Sequence, residues 1–218
     1  MVPVLASLLL SAAQAADPFD LVPAGALLDQ AAAAALRPSQ GNWVALVAEP
    51  GGLFALREVR PQLRPADDPL DEGNEALLLS AELNGEGLVF LRGRTPLSMG
   101  AVPTTLPEAT WTTYEEPVVL SSGEGTLTRL LTRPFGPEAS RVELLRTRTG
   151  AGRRQILAEE ARGTPVVRWA GDLDADGAPD LLLEVDPGSG AELRLYLSSA
   201  AAPGEIAGLA GRFLIPGC

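Results

Sequence analysis

The sequence predicts an all-β protein: a mainly antiparallel meander, folded into a sandwich or barrel, with one helix near the N-terminus. From Asn42 onward, short apolar runs alternate with turn residues, as expected for strands joined by tight connections. Glycine and proline together make 42 of the 218 residues (23 + 19). Because 46% of the residues are hydrophobic, the chain can combine these many turns with a sizeable core.

The helix is predicted over residues 24–36. Five alanines at 31–35, followed by Leu36, favour a helix because alanine and leucine have strong helix propensities. Pro38 ends it, since proline has no backbone N–H and cannot continue the hydrogen-bond pattern.

Four pairs of apolar runs are joined by short turns rich in glycine, which predicts four antiparallel hairpins. These hairpins are 43–48 with 53–59, 76–83 with 88–91, 118–121 with 126–132, and 142–148 with 153–158. Residues 60–73 are predicted to form a long loop, and residues 96–114 a second irregular region. No period is repeated often enough to indicate a propeller or a solenoid.

The first fifteen residues have the composition of a secretory signal peptide. They carry no charged side chain, include an apolar run at 4–10, and end in Ala13-Gln14-Ala15, a small-x-small cleavage pattern. The apolar run is too short to span a bilayer as a helix. We therefore expect residues 1–15 to be removed and residues 16–218 to form a single domain, secreted or periplasmic. Cys218 is the sole cysteine, so these 218 residues cannot form a disulfide among themselves.

The charged residues exclude several classes of function. With 28 acidic and 17 basic residues, the net charge is −11, which disfavours binding to nucleic acids and to anionic membrane surfaces. All the basic residues are arginine. The absence of histidine excludes Ser-His and Cys-His catalysis and histidine-ligated zinc, and the absence of lysine excludes a Schiff base.

One motif has an identifiable chemistry, the segment from Asp172 to Asp180. Aspartates occupy positions 1, 3, 5 and 9 of this loop, and Gly177 occupies position 6. Calcium takes about six to eight oxygen ligands, and carboxylates at alternating positions can turn inward around one ion. The glycine permits a sharp turn that aims the carbonyl of Ala178 at the ion. Without a cation the crowded carboxylates would repel one another.

The flanks of this loop distinguish it from an EF-hand. Residues 165–169 and 181–185 are rich in valine and leucine and are predicted to be strands, and Leu183 stands where an EF-hand has glutamate. The strand–loop–strand pattern resembles the FG-GAP or VCBS type of repeat, with its integrin-like calcium loop. The stretch from Trp169 to Ser199 also resembles the end of bacterial exported proteins that carry a single such loop. The resemblance implies that Ca²⁺ is bound by the side chains of Asp172, Asp174, Asp176 and Asp180 and by the carbonyl of Ala178.

Carboxylates and aromatics offer two further candidate sites. The pairs Glu115-Glu116 and Glu159-Glu160 are adjacent, and neighbours on a strand point to opposite faces, so neither pair suits an acid–base couple. Large aromatics could form a sugar-stacking platform, but in a β domain they are expected in the core. They are Trp43, Trp111, Tyr114 and Trp169.

Two functions follow from these observations. The leading hypothesis is an exported, non-catalytic, calcium-binding β protein that serves as a binding module for a protein or a glycan. The alternative is a carboxylate-based secreted polysaccharide hydrolase, which would need two carboxylates from distant strands to converge in a groove.

Overall fold

The structure is a computed structural model that describes ten stretches of the chain. These are residues 19–67, 75–83, 85–93, 97–106, 109–112, 116–123, 125–137, 139–148, 151–188 and 190–216. The predicted signal peptide, residues 1–15, and Cys218 lie outside the described residues. In the described part of the chain, no helix is long and apolar enough to cross a membrane.

The fold is all-β, with antiparallel pairing throughout the described sheets, and it contains one short helix. A five-stranded sheet has the spatial order β1 (Phe19–Pro23), β7 (Glu86–Gly93), β3 (Trp43–Glu49), β4 (Leu53–Val59) and β8 (Gly100–Val102). A three-stranded sheet has the order β2 (Leu27–Leu28), β6 (Glu75–Ser80) and β5 (Gln62–Asp67). The helix α1 (Gln30–Leu36) follows β2.

A nine-stranded sheet contains the second half of the chain. Its main path is β11 (Val118–Gly123), β12 (Thr126–Pro134), β13 (Ala139–Arg148), β14 (Ala151–Gly171), β15 (Asp180–Asp186), β16 (Gly190–Leu197) and β17 (Gly208–Pro216). Two short strands, β9 (Thr104–Leu106) and β10 (Thr110–Trp111), pair with the second half of β14. Strand β12 shows why these residues form strands, because Thr128, Leu130 and Thr132 are buried and the residues between them are not.

Three cores hold the sheets together. The sandwich core lies between the five-stranded and nine-stranded sheets and includes Leu46, Leu56, Leu91, Trp169, Leu182 and Leu195. The hairpin core is enclosed by β11–β16 and includes Leu130, Leu144, Val167, Leu181, Leu183 and Tyr196. The N-terminal core lies where α1 and the three-stranded sheet meet the five-stranded sheet, and includes Leu28, Ala33, Trp43, Leu79 and Phe90.

Of the four predicted hairpins, three are confirmed: β3–β4, β11–β12 and β13–β14. The hairpin of 76–83 with 88–91 is wrong, because β6 and β7 belong to different sheets. Val89, Phe90 and Leu91 are all buried, with Phe90 in the N-terminal core and its neighbours in the sandwich core. A strand that is buried on both faces is expected in the interior of a sheet, and β7 lies between β1 and β3.

Three other predictions are corrected. The helix begins at Gln30 rather than at residue 24, because Leu27 and Leu28 form a strand that pairs with β6. Asp29 then caps the helix, since its side chain accepts the N–H of Ala32 at 2.7 Å. The predicted loop at 60–73 contains β5. The predicted irregular region at 96–114 contains three short strands, β8 to β10. Short strands of this kind have no periodicity of their own and form because they find an edge to pair with.

Candidate metal centre

The candidate calcium loop connects the two central strands β14 and β15. Gly171 and Asp180 are directly opposite each other in the register, so residues 172–179 form the connection. Leu181 and Leu183 enter the hairpin core while Leu182 enters the sandwich core, as alternation on a strand requires. The end of the loop is therefore anchored in both cores.

The start of the loop is held by close backbone packing. A side chain at Gly171 would place its Cβ 2.3 Å from the carbonyl oxygen of Pro103, so only glycine fits there. The same oxygen accepts the N–H of Asp172 at 2.8 Å. Leu173, only 2% exposed, then packs into the sandwich core. Pro103 precedes β9, so the segment predicted to be irregular positions the loop.

Three of the predicted ligands come together in the loop. Asp172, Asp174 and Asp176 each offer a carboxylate oxygen, and these three oxygens lie within 4.8 Å of one another. Asp172 and Asp174 are half-buried and Asp176 is exposed. This spacing brings three negative charges close together at neutral pH, and each raises the energy of the others.

Backbone N–H groups of the loop donate to two of these carboxylates. Asp172 accepts from the N–H of Asp176 and of Gly177, both at 3.0 Å. Asp176 accepts from the N–H of Ala178 at 2.8 Å, and Ala178 itself is half-buried. The tight turn uses two left-handed residues, Ala175 at φ 61° and Gly177 at φ 84°, of which only the glycine adopts this conformation without strain.

Two serines that were not predicted as site residues donate hydrogen bonds to carboxylates of the loop. The hydroxyl of Ser198 donates to Asp176 Oδ2 at 2.5 Å, and the hydroxyl of Ser199 donates to Asp174 Oδ2. They follow β16, more than twenty residues along the chain, and nothing in their local sequence indicates this role. The other oxygen of Asp174, Oδ1, is buried and has no hydrogen-bond partner among the described residues.

Asp180 has a different environment from the other three aspartates. It is fully buried, and its two oxygens accept the N–H of Leu173 at 2.7 Å and of Ser198 at 2.8 Å. Burial raises its pKa from 3.8 to about 7; the charges of Asp174 and Asp176 also raise it, while the two hydrogen bonds lower it. Asp180 is not one of the three residues whose oxygens gather within 4.8 Å. It joins the loop to the segment that carries the serines.

Of the four aromatic residues considered as a sugar-stacking platform, the two whose side chains are described lie in the core, as expected. Trp43 is 2% exposed and Trp169 is fully buried, with its indole N–H donating to Thr104 at 3.2 Å. Tyr114 and the side chain of Trp111 lie outside the described residues.

The adjacent glutamate pairs are only partly described. Glu159 forms an ion pair with Arg141 at 2.9 Å, on the surface of β13 and β14. Glu116 is described and Glu115 is not; the side chain of Glu160 also lies outside the described residues.

The loop supplies the chemistry that a hard divalent cation requires. Its donors are all oxygens, and one of them, Asp174 Oδ1, is buried without a partner, a state that costs free energy unless a cation or another donor reaches it. These residues therefore fit a bound Ca²⁺.

No protein-family model, no curated protein and no solved structure matches this chain.

Proposed function

We propose that this chain is an exported, non-catalytic calcium-binding β protein in which Ca²⁺ at the loop Asp172–Asp180 stabilises the fold. The observation that carries the proposal is the buried, unpartnered Oδ1 of Asp174, within a group of three carboxylates that lie within 4.8 Å of one another. Such an oxygen needs a positive partner, because an ionised carboxylate removed from water is costly to leave unpaired.

Among the described residues, no hydrogen bond and no ion pair supplies that partner. The donors to the three carboxylates are backbone N–H groups and two serine hydroxyls, which are all neutral, and the charge of Arg146 acts on Asp176 and Asp180 without forming an ion pair. Of the ion pairs in the described part of the chain, none involves an aspartate of the loop. Neutral donors lower the repulsion between carboxylates without cancelling the charge, whereas a divalent cation does both.

Calcium is the cation that suits this donor set. It accepts about six to eight oxygen ligands in a flexible geometry, whereas magnesium demands a tighter octahedral shell. Asp172, Asp174 and Asp176 would hold the ion through their side chains, with the carbonyl of Ala178 as a neutral ligand. Asp180 can keep both of its N–H hydrogen bonds and still contribute, because a carboxylate has about four lone-pair sites. This is the ligand set that the resemblance to the FG-GAP or VCBS type of loop implies.

The position of the loop explains why an ion there would stabilise the whole fold. The loop joins β14 to β15, whose side chains enter both the sandwich core and the hairpin core. A ligand that binds only the folded state raises the unfolding free energy by RT ln(1 + [L]/Kd), which is about 2.7 kcal/mol at ~100 Kd. Extracellular modules bind calcium with dissociation constants of roughly 0.1–1 mM, so millimolar calcium gives a measurable effect.

The test is thermal denaturation and calorimetric titration of the full chain in calcium, in magnesium and in chelator. We expect calcium to raise the melting temperature by several degrees relative to chelator, and magnesium to have a much smaller effect. Asp174→Asn should abolish the calcium response. Asp186→Asn is the matched control, since Asp186 lies at the other end of β15, and it should respond to calcium like the natural sequence. Equal melting in calcium and in chelator would show that the loop is an acidic turn.

Export is tested separately. If residues 1–15 are a signal peptide, mass spectrometry of protein recovered from the native host should show a mature chain that begins at or near Ala16. Cytoplasmic protein that retains residues 1–15 would contradict export but would not affect the calcium proposal.

A further inference from the structure

A second concentration of like charge lies at the turn end of the β13–β14 hairpin. Arg146 is directly opposite Arg153 in the register, and Arg148 lies two residues further along β13. Directly opposed residues, and residues two apart on a strand, share one face of the sheet. The three arginines are therefore on the face that carries Leu144, two residues before Arg146, into the hairpin core.

None of these three arginines forms an ion pair with a carboxylate among the described residues, although the charges of Asp176 and Asp180 act on Arg146. Seven other arginines form ion pairs with carboxylates: Arg57, Arg92, Arg133, Arg141, Arg154, Arg168 and Arg194. In those ion pairs neither Arg146, Arg148 nor Arg153 takes part. Acidic residues outnumber basic ones by 28 to 17, so unpaired arginines are not a consequence of scarce carboxylates. Like charges directly opposite each other on a sheet destabilise it, and an anion between them would remove that effect.

Arg146 is the one arginine of the three that has a buried N–H group without an acceptor among the described residues. Its Nε donates to the hydroxyl of Thr128 at 3.4 Å, and its Nη2 is buried and finds no hydrogen-bond partner in the part of the chain that the structure describes. Burial lowers the pKa of Arg146, and the charge of Arg153 lowers it further, while Asp176 and Asp180 act in the opposite direction. A buried guanidinium N–H without an acceptor is costly, and a ligand oxygen would provide the acceptor.

The arginines line a cavity of about 450 Å³, together with Ala151, Glu205 and Ile206. This volume lies within the range of about 300–1,000 Å³ that is typical of small-molecule sites. The wall that contains Glu205 and Ile206 is tied to β14 by Gln155. Its Oε1 accepts the N–H of Ile206 at 2.7 Å and of Ala207 at 3.0 Å, and its Nε2 donates to the carbonyl of Ala207 at 2.6 Å.

Glu205 is the one carboxylate among the lining residues, and it does not neutralise the arginines. Its Oε2 accepts the N–H of Ala202 at 3.0 Å, which closes the turn in which it lies. Among the lining residues, three arginine charges therefore outnumber the single carboxylate charge, while Asp176 and Asp180, which are not lining residues, offset part of the charge of Arg146. The excess positive charge selects for an anionic ligand.

We propose that this cavity binds a small organic oxyanion, recognised by the guanidinium groups of Arg146, Arg148 and Arg153. Guanidinium groups present paired donors that match the oxygens of a carboxylate or a phosphate. The cavity is large enough for a ligand of the size of a monosaccharide that carries such a group. This site is separate from the proposed calcium site and does not depend on it.

The experiment is calorimetric titration of the full chain in calcium-containing buffer of low ionic strength, with glucuronate, glucose 6-phosphate and glucose as probes. We expect at least one of the two anionic sugars to bind and glucose not to bind. Carboxylate and phosphate-ester recognition are distinguished by which anion binds more tightly.

Arg153→Gln and Arg148→Gln are the variants, because both arginines are exposed and their replacement should leave the fold intact. Each should weaken the affinity for the bound anion about tenfold, the effect of losing one charge-assisted hydrogen bond. Arg64→Gln, an exposed arginine in β5, is the matched control and should bind like the natural sequence. The proposal is overturned if neither anion binds, if glucose binds equally well, or if Arg64→Gln weakens binding as much as Arg153→Gln.

Discussion

The calcium loop and the arginine cavity both crowd like charges, yet they hold them in different ways. In the loop, backbone N–H groups and two serine hydroxyls donate to the three carboxylates, and one oxygen remains without a partner. In the cavity, Thr128 is the sole hydrogen-bond partner that the described residues give to the three arginines. Backbone donors are available wherever a chain turns around an anion, whereas cations need acceptors that a strand face does not offer.

The difference has a consequence for stability. The carboxylates are part of the hydrogen bonding that shapes the loop, so their removal should damage the fold. The exposed arginines contribute no hydrogen bond of this kind, so their removal should affect ligand binding and leave the fold largely unchanged.

The largest effect is expected from Asp180→Ala. The change leaves the N–H of buried Leu173 and the N–H of half-buried Ser198 without their acceptor, and a buried N–H without an acceptor costs about 1–3 kcal/mol. Urea denaturation in chelator should show a loss of about 2–5 kcal/mol in the unfolding free energy. Arg153→Ala should change it by no more than about 0.5 kcal/mol. Similar losses in the two variants would break the contrast between the regions.

The second prediction concerns pH in the absence of calcium. Because the pKa of Asp180 is about 7 in the folded protein and 3.8 is its ordinary value, the folded state binds the proton more tightly than the unfolded state. The resulting stabilisation is complete below pH 3.8 and is lost as the pH rises through about 7. The unfolding free energy in chelator should therefore fall between pH 5 and pH 7.5, measured by urea denaturation with Asp180→Asn as the non-titrating control. A slope that persists in Asp180→Asn would assign it to other groups.

The third prediction links the two regions through Gln155, which holds the segment that follows β16. Gln155→Ala removes three hydrogen bonds to Ile206 and Ala207, and the unfolding free energy should fall by about 1–3 kcal/mol. The same change should weaken anion binding, since Ile206 lines the arginine cavity. Gln62→Ala, at an exposed position in β5, is the control and should alter neither property. Unchanged anion affinity in Gln155→Ala would show that the cavity wall does not depend on this residue.

The smallest effect is a coupling between the two sites. The charges of Asp176 and Asp180 act on Arg146, so neutralising the loop with calcium should make the cavity more attractive to an anion. We expect the affinity for the bound sugar anion to rise a few-fold in calcium relative to chelator. This rise corresponds to a coupling free energy at the lower end of the usual range of about 1–3 kcal/mol. Calorimetric titration measures it, and Asp174→Asn should remove the difference. An affinity that is the same with and without calcium would make the two sites independent.

The sequence predicted those parts of the molecule that depend on neighbours along the chain. Hairpins such as β3–β4 are specified by a turn and by the alternation of the strands on either side of it. The spacing of the three gathered aspartates places them around one turn, and the strands on both sides of that turn were predicted from their valine and leucine content. In each case the relevant contacts lie within a few residues.

These local patterns do not specify which strands pair when they are distant in the sequence. Glu86 and Gly87 read as turn residues after the apolar run of β6, but β7 pairs with β1 and β3, so that its apolar residues are covered on both faces. Many antiparallel pairings satisfy the same local pattern, and the burial of two opposite faces selects among them.

The same division applies to the two charged regions. The amino-acid sequence by itself determined an all-β fold and a nine-residue acidic loop between two strands, because alternation and turn chemistry act locally. Only the tertiary structure brought Ser198 and Ser199 to the loop, buried Asp180, and placed Glu205 and Ile206 beside three arginines of a distant hairpin. These arrangements depend on the pairing of β16 with β15 and of β17 with β16. The free energy of burying whole strands determines that pairing, and no short segment specifies it.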